Sequence, residues 1–269
     1  MNNHPAAFDS QAATYDQRAG LPEQHCQAIA QAVLRLSAAI PGDLLLEVGA
    51  GTGMIGTWLA RPPLRYIGVD LSRRMLAAFQ RRLAFPSHMP FLLQADGNYP
   101  WPLADGAIRV IFSSRAVHLL DLAHVVDESF RVAQPDGASL IIGRIQRPPG
   151  SLPTMLQQVM QRLLRQQGFS SHAGEQHQRQ LLAAFTQRGG RGLDPVIAAR
   201  WTVTRTSWQS IEAWQSKPGL AGLDVPPVVQ RSILDELRSW AQSTFGDLHR
   251  QVTCEEAYVL QGVGLRPRA

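Results

Sequence analysis

The sequence predicts an α/β fold: a seven-stranded, mostly parallel sheet with helices on both faces and a helical insertion after the fifth strand. Three observations predict it. Short apolar runs alternate with segments of helical periodicity between residues 22 and 145. Those runs lack strict in–out alternation, as strands buried on both faces do. A glycine-rich turn joins the first run to the helix after it. The chain has 269 residues, 45% hydrophobic and 17% charged, which suffices for the core of one large domain carrying an insertion.

Each element has its own signal. From Pro22 to Ala39, Cys26, Ile29, Ala30, Val33 and Leu36 recur at helical spacing, and Pro41-Gly42 stops that helix. Asp43 to Val48 is the first strand. A helix from about Met54 to Ala60 ends at Pro62-Pro63. Arg65 to Val69 is the second strand. Ser72 caps a helix with Met75, Leu76, Phe79 and Leu83 on one face. Phe91 to Gln94 and Ile108 to Ser113 are the third and fourth strands. Asp121 caps a helix carrying Leu122, Val125, Val126 and Phe130. Pro135-Asp136-Gly137 turns the chain into the fifth strand, Ala138 to Ile145.

After Arg147-Pro148-Pro149-Gly150 the pattern changes. Leu152, Met155, Leu156, Val159, Met160, Leu163 and Leu164 make a strong amphipathic helix ended by Gly168. A weaker helix lies near Leu181 to Phe185, and Gly189-Gly190 closes the segment. Residues 148–194 are therefore expected to be an insertion, with 1–147 and 195–269 forming the main domain. The Met- and Leu-rich helix reads either as ordinary core or a dimer contact, or as a lid over an apolar acceptor. The rest reads as a strand from Val196 to Thr206, helices at Trp208 to Gln215 and Val228 to Ser243, and a final strand from Cys254 to Val263. Trp201, Trp208 and Trp214 read as core residues.

Composition excludes several classes. No apolar run reaches the length of a membrane span. The first eighteen residues lack a basic start followed by an apolar stretch, so a cytoplasmic location is expected. Cys26 and Cys254 are far apart with no CxxC, and His172 and His177 lack carboxylate or cysteine partners at ligand spacing, so no metal site is expected. The net charge is +5, but the arginines are scattered and Lys217 is the sole lysine, which reads as a solvated basic surface.

The segment 44–56, LLLEVGAGTGMIG, carries the chemistry. Gly49, Gly51 and Gly53 let the chain turn sharply, bring backbone N–H groups close to a ligand, and set the next helix's positive end at the same place. Gly51 to Gly56 also satisfies G-x-G-x-x-G, so a nicotinamide-dependent oxidoreductase is the rival reading. Glu47 favours the other side. A carboxylate ending the strand is awkward beside a pyrophosphate but suits the amino-acid end of S-adenosylmethionine (SAM). Asp70 ends the second strand about twenty residues on, where it can accept hydrogen bonds from both ribose hydroxyls of either cofactor.

The run E-V-G-A-G-T-G resembles motif I of the class I, Rossmann-like SAM-dependent methyltransferases. That resemblance implies further site residues. Asp96 and Gly97, after the third strand, are similar to the pair that meets the adenine ring. The stretch 113–120, SSRAVHLL, resembles the small-molecule methyltransferases of the ubiquinone/menaquinone-biosynthesis and trans-aconitate type. Residues 8–18 resemble that group's N-terminal segment, which folds over the cofactor and makes Tyr15 and Arg18 candidate contacts. Ala50, Leu71, Met75 and Ser113 complete the implied cofactor lining. Tyr99, Pro100, Trp101 and Pro102 either wall the adenine or stiffen their loop.

The resemblance implies methyl transfer to a small-molecule acceptor by in-line displacement. His118 is the candidate general base where the acceptor must lose a proton. N-P-P-Y and a paired-glutamate loop are absent, which weakens nucleic acid and protein as acceptors. A non-catalytic binding module on the same fold, acting on RNA, is the remaining alternative.

Overall fold

The computed structural model describes residues 9, 12, 15–18, 21–83, 90–169, 174–216, 219–221 and 223–265. Its helices are α1 (Tyr15–Arg18), α2 (Cys26–Ser37), α3 (Gly56–Leu59), α4 (Arg73–Arg82), α5 (Leu122–Val132), α6 (Leu152–Gln166), α7 (Gly174–Gln187), α8 (Ser207–Gln215) and α9 (Pro227–Phe245). Its strands are β1 (Leu44–Val48), β2 (Arg65–Asp70), β3 (Phe91–Gln94), β4 (Val110–Ser114), β5 (Ala138–Gln146), β6 (Arg191–Arg205) and β7 (Val252–Leu265). Single 3-10 turns at Glu23–His25 and Val117–Leu119 were not predicted from periodicity, being too short to show one. Among the described residues no helix is long and apolar enough to cross a membrane.

The seven strands form one sheet in the order β3-β2-β1-β4-β5-β7-β6. The pairs β2–β3, β1–β2, β1–β4 and β4–β5 are parallel. This is the expected fold class, and the apolar runs are buried as strands covered on both faces must be. Leu45, Leu46, Ile111, Phe112 and Ile141 are all essentially inaccessible. The chain order reverses between β1 and β4. In such sheets the crevice beyond the strands' carboxyl ends at that reversal is where ligands bind. Register brings Val48 level with Val69, and Asp70 level with Gln94, so the acids after β1, β2 and β3 share one edge.

The caps predicted at two helices are made. Ser72 Oγ accepts from the Met75 amide at 3.2 Å, and the Asp121 carboxylate from the His124 amide at 2.8 Å. At α8 a capping box was missed: Thr206 and Gln209 bond each other's backbone amides, both at 3.0 Å.

The chain divides into two compact units at places other than those expected. Residues 1–145, 174–199 and 258–269 form one, and 146–173 with 200–257 form the other. The expected insertion 148–194 is thus split. Leu181 and Phe185 of α7 are fully buried in the core of the sheet unit, where Phe185 meets Phe130 at 5.8 Å between ring centroids. The apolar stripe of α6 is buried in the second unit's own core, against Ile211 of α8 and Ile233, Leu234 and Leu237 of α9. That packing is the core alternative for this helix. Trp208 and Trp214 pack against the same core, and Trp201 is buried.

Candidate functional site

The turn after β1 depends on its glycines. Gly49, Gly51 and Gly53 take φ of 75°, 57° and 76°, the left-handed region that side chains resist. A Cβ on Gly49 would lie 2.3 Å from that of Ala116, and one on Gly53 would lie 2.1 Å from the Phe79 ring. Gly53 therefore serves the packing of the turn on α4 and does not line the cleft, contrary to expectation. The turn's amides are also used differently. Those of Gly49 and Ala50 both donate to the Val69 carbonyl, at 2.8 and 3.0 Å. The Gly51 amide donates to Asp70 Oδ2 at 2.8 Å, and that of Gly53 to the Ala50 carbonyl at 3.1 Å. These four N–H groups are occupied within the protein, and α3 is only four residues long, so its dipole is small.

Beside the turn, the sheet edge opens into a cleft of about 690 Å³, counting the open solvent at its mouth. Val48, Gly49 and Gly51 line it from β1, Asp70, Leu71 and Met75 from β2 and α4, and Asp96 and Gly97 from the loop after β3. Both Asp70 oxygens accept backbone amides, Oδ1 from Ser72 and Oδ2 from Gly51, each at 2.8 Å. Burial pushes the Asp70 pKa up, against the pull of those two amides. Asp96 Oδ1 holds the amide and side chain of Asn98, both at 2.9 Å, and among the described residues Oδ2 has no donor. A side chain on Gly97 would press on Leu120 and Val48 at 3.0 and 3.3 Å.

A smaller recess of about 310 Å³ lies on the glycine-turn side. Glu47, Ala50, Thr52, Ser114, Arg115 and Tyr15 are among its walls. Glu47 is 2% exposed and accepts a hydrogen bond from the Tyr66 hydroxyl. Burial pushes its pKa up to about 8. The Tyr66 bond opposes that rise, Asp70 adds to it, and Arg115 opposes it.

The N-terminal segment is tied to this region. Tyr15 lines both cavities. Asp16 accepts from Thr52 Oγ1 and pairs with Arg82, which also meets Glu23 at 2.6 Å. Asp9 accepts from Ser72 Oγ and, at 3.3 Å, from the Arg74 amide. Arg18 ends α1, and its side chain lies outside the described residues, as does His172.

Side-chain direction corrects two expectations, for Ser113 and His118, and favours one of the two readings left open for Trp101. Ser113 is buried and donates to the Val48 carbonyl at 2.8 Å, so it faces the core. Ser114, one residue on, lines the cleft instead and bonds the fully buried Tyr258 hydroxyl at 2.5 Å. Trp101 does not wall the cleft. It is buried beneath its loop, its indole donating to the Gly97 carbonyl at 3.2 Å. Tyr99 is 68% exposed. His118 is exposed and is not among the cleft's lining residues, although Leu119 and Leu120 are. Surrounding protein, then His177 and Arg115, lowers the His118 pKa. Among the described residues no group of three or more His, Cys, Asp or Glu is placed to hold a metal.

Sequence reasoning missed Ser114, Arg115, Leu119, Leu120 and Tyr258. Strand parity at residues 113 and 114 decides which serine faces the ligand, and parity cannot be read before the strand's end is known. Arg115 takes φ of 58°, which no local signal announces in an arginine.

Comparison with known proteins bears on the fold and on the sequence of residues 46–141. Residues 46–141 match the family model described as a methyltransferase domain. A malonyl-[acyl-carrier protein] O-methyltransferase of Serratia marcescens is 31% identical over 136 residues, covering 50% of this chain and 50% of that protein. A demethylmenaquinone methyltransferase of Clavibacter sepedonicus is 30% identical over 148 residues, covering 54% and 58%. The chain thus spans about half the length of the curated relatives it matches. A Bacillus halodurans structure bearing a provisional methyltransferase assignment superposes with a TM-score of 0.57 at 14% identity, over 89% of this chain and 99% of that one, a likeness of fold. Residues 46–141 are thus similar in sequence to a methyltransferase domain, and the fold is shared with the Bacillus halodurans structure.

Proposed function

We propose that this protein is a SAM-dependent methyltransferase acting on a small-molecule acceptor. One observation carries the reading. The amides of Gly49 and Ala50 are held by the Val69 carbonyl and that of Gly51 by the Asp70 carboxylate, and a buried acid, Glu47, lies beside them. A dinucleotide's pyrophosphate needs those amides and would meet that acid. An adenosyl sulfonium has no phosphate and needs no such amides.

The residues present fit such a cofactor. Each Asp70 oxygen holds one amide and retains capacity for a second donor, so the pair can take both ribose hydroxyls. Asp96 Oδ2 and the Gly97 amide are available to a purine edge, with Met75, Leu71 and Leu120 as apolar walls. Bound there, SAM supplies an electrophilic methyl group. The chain's part is to orient it and to keep water out with those walls. Ser114 stands at the end of β4, anchored by Tyr258, where it can orient an acceptor's polar atom. The two curated relatives, by their names, act on a malonyl-[acyl-carrier protein] and on demethylmenaquinone. Scattered arginines and the absence of N-P-P-Y support a small acceptor over nucleic acid.

Thermal unfolding with SAM, S-adenosylhomocysteine, NADH and NADPH at equal concentration tests the cofactor assignment. The first two should raise the midpoint and the last two should not, and Asp70→Asn should remove most of the shift. Stabilisation by NADH alone would replace this reading with the oxidoreductase.

A further inference from the structure

Within the second unit, α6 and α9 share one core and leave a groove between them of about 860 Å³, counting the open solvent at its mouth. We propose that this groove is the surface through which two copies of the chain associate about a two-fold axis. Its floor is apolar. Val159 and Leu163 of α6 reach the surface there, each 8% exposed, and Trp240 of α9 is half-buried in the same wall. Trp240 is held edge-on by Phe245, with 5.6 Å between ring centroids. A fixed aromatic ring among aliphatic side chains is what the centre of an interface is made of.

The two banks carry opposite charge. Arg162 stands on the α6 bank, and Asp235 and Glu236 stand on the α9 bank. Asp235 is engaged within its own helix by Arg238, at 2.6 Å. Arg162 and Glu236 are exposed, and among the described residues neither forms an ion pair, with the other or with a third group. In a two-fold interface, a residue of one copy that meets a second residue on the other is mirrored by the reverse contact. A groove with a cation on one bank and an anion on the other is therefore its own complement. Arg162 of each copy faces Glu236 of the other, across the paired Trp240 rings. A foreign partner would have to be shaped to this pattern, whereas a second copy already carries it.

The outward stripe of α9 permits the approach. Val228, Ser232, Asp235, Glu236 and Ser239 recur at helical spacing, on the side away from Ile233, Leu234 and Leu237, which are buried in the core. Val228 is 69% exposed, an apolar side chain that gains by leaving water. The Ser239 hydroxyl donates to the Asp235 carbonyl at 3.0 Å, so this residue presents little more than its methylene to a neighbour. Small side chains on the α9 bank let a second helix come close without unseating either core.

Analytical ultracentrifugation of the full chain tests the interface at concentrations up to about 100 μM. The wild type should sediment as a reversible dimer. Arg162→Glu sets acid against acid at both contacts, and Glu236→Arg sets cation against cation. Each reversal should weaken association roughly tenfold or more. Mixing the two variants should restore it, because in the mixed pair both contacts join opposite charges. The chain carrying both substitutions should dimerise alone for the same reason. Recovery on mixing also shows that each variant is folded. A wild type that stays monomeric overturns the proposal. So does a dimer that neither reversal weakens, or two weakened variants that do not associate on mixing. Assemblies that grow beyond two copies with concentration are head-to-tail, and overturn the two-fold pairing as well.

Discussion

Two buried carboxylates in the sheet unit, Glu128 and Glu47, differ in every partner. Glu128 is 7% exposed and takes two bonds from Arg131, both at 2.7 Å, and one from the Trp101 amide at 2.6 Å. Arg131 in turn donates to the carbonyls of Leu103 and Trp101, at 2.8 and 2.9 Å, and meets Asp105. The Arg131 bonds hold the Glu128 carboxyl below the usual range against its burial, and the Trp101 amide helps. Glu47 has a hydroxyl for a donor, and its pKa stands near 8. A carboxylate that braces a fold carries its counter-charge within the protein. One that serves a ligand leaves part of its capacity unmet.

The largest effect should come from breaking the closed network. Glu128→Ala leaves the Arg131 guanidinium and the Trp101 amide without their acceptor and should cost about 2–4 kcal/mol of unfolding free energy. The urea midpoint measures this. Binding of S-adenosylhomocysteine to the folded fraction should change less than threefold, because Trp101 lies beneath the loop and outside the cleft. A variant with intact stability and lost binding would invert the contrast between the two acids.

The second effect sharpens the contrast through pH. The folded pKa of Glu47, about 8, lies above its ordinary 4.5, so the fold binds this proton more tightly than the unfolded chain does. Stability from this group is intact below pH 4.5, falls as pH rises through the window to about 8, and is level above it. The steepest slope is about 1.4 kcal/mol per pH unit. The groups facing it are Tyr66, Asp70, Arg115 and Tyr258. Burial pushes both tyrosines up, so they stay neutral here. Glu47→Gln should therefore gain on wild type as pH rises from 5 to 9 in ligand-free urea titrations. Parallel curves would show that Glu47 is ionised throughout.

The same contrast explains what the sequence could disclose. Glu47, Asp70 and Asp96 were legible because each lies at or just past the end of a strand that its own apolar run announces, and the parallel order sets those ends along one edge. The glycines were legible as a turn. Their amides' partners were not, because the Val69 carbonyl and the Asp70 carboxylate belong to a neighbouring strand and depend on register. Arg131 reaches Trp101 across thirty positions and Tyr258 reaches Ser114 across 144, distances over which no periodic signal survives. The two-unit division was hidden for a related reason. Helices α6 and α7 are both amphipathic, and an apolar stripe does not say which core it joins.

The smallest effect concerns His118, the residue sequence reading placed nearest to proton transfer. Position in the stretch SSRAVHLL argued for it, since the neighbouring residues do reach the cleft. The 3-10 turn Val117–Leu119 separates them: Val117 points into the core, Leu119 into the cleft, and His118 outward. A base must stand within hydrogen-bond reach of the proton it removes. A lowered pKa keeps this imidazole neutral at pH 7 and suited in charge to be a base, but charge does not replace position. His118→Ala should leave S-adenosylhomocysteine affinity within about twofold. It should leave kcat equally unaffected with the acceptor found by labelled-methyl transfer to a metabolite extract. A tenfold loss of kcat that follows the histidine's titration would mean that the ring turns inward when the acceptor binds, and the division between bracing and working residues would then have to be redrawn around it.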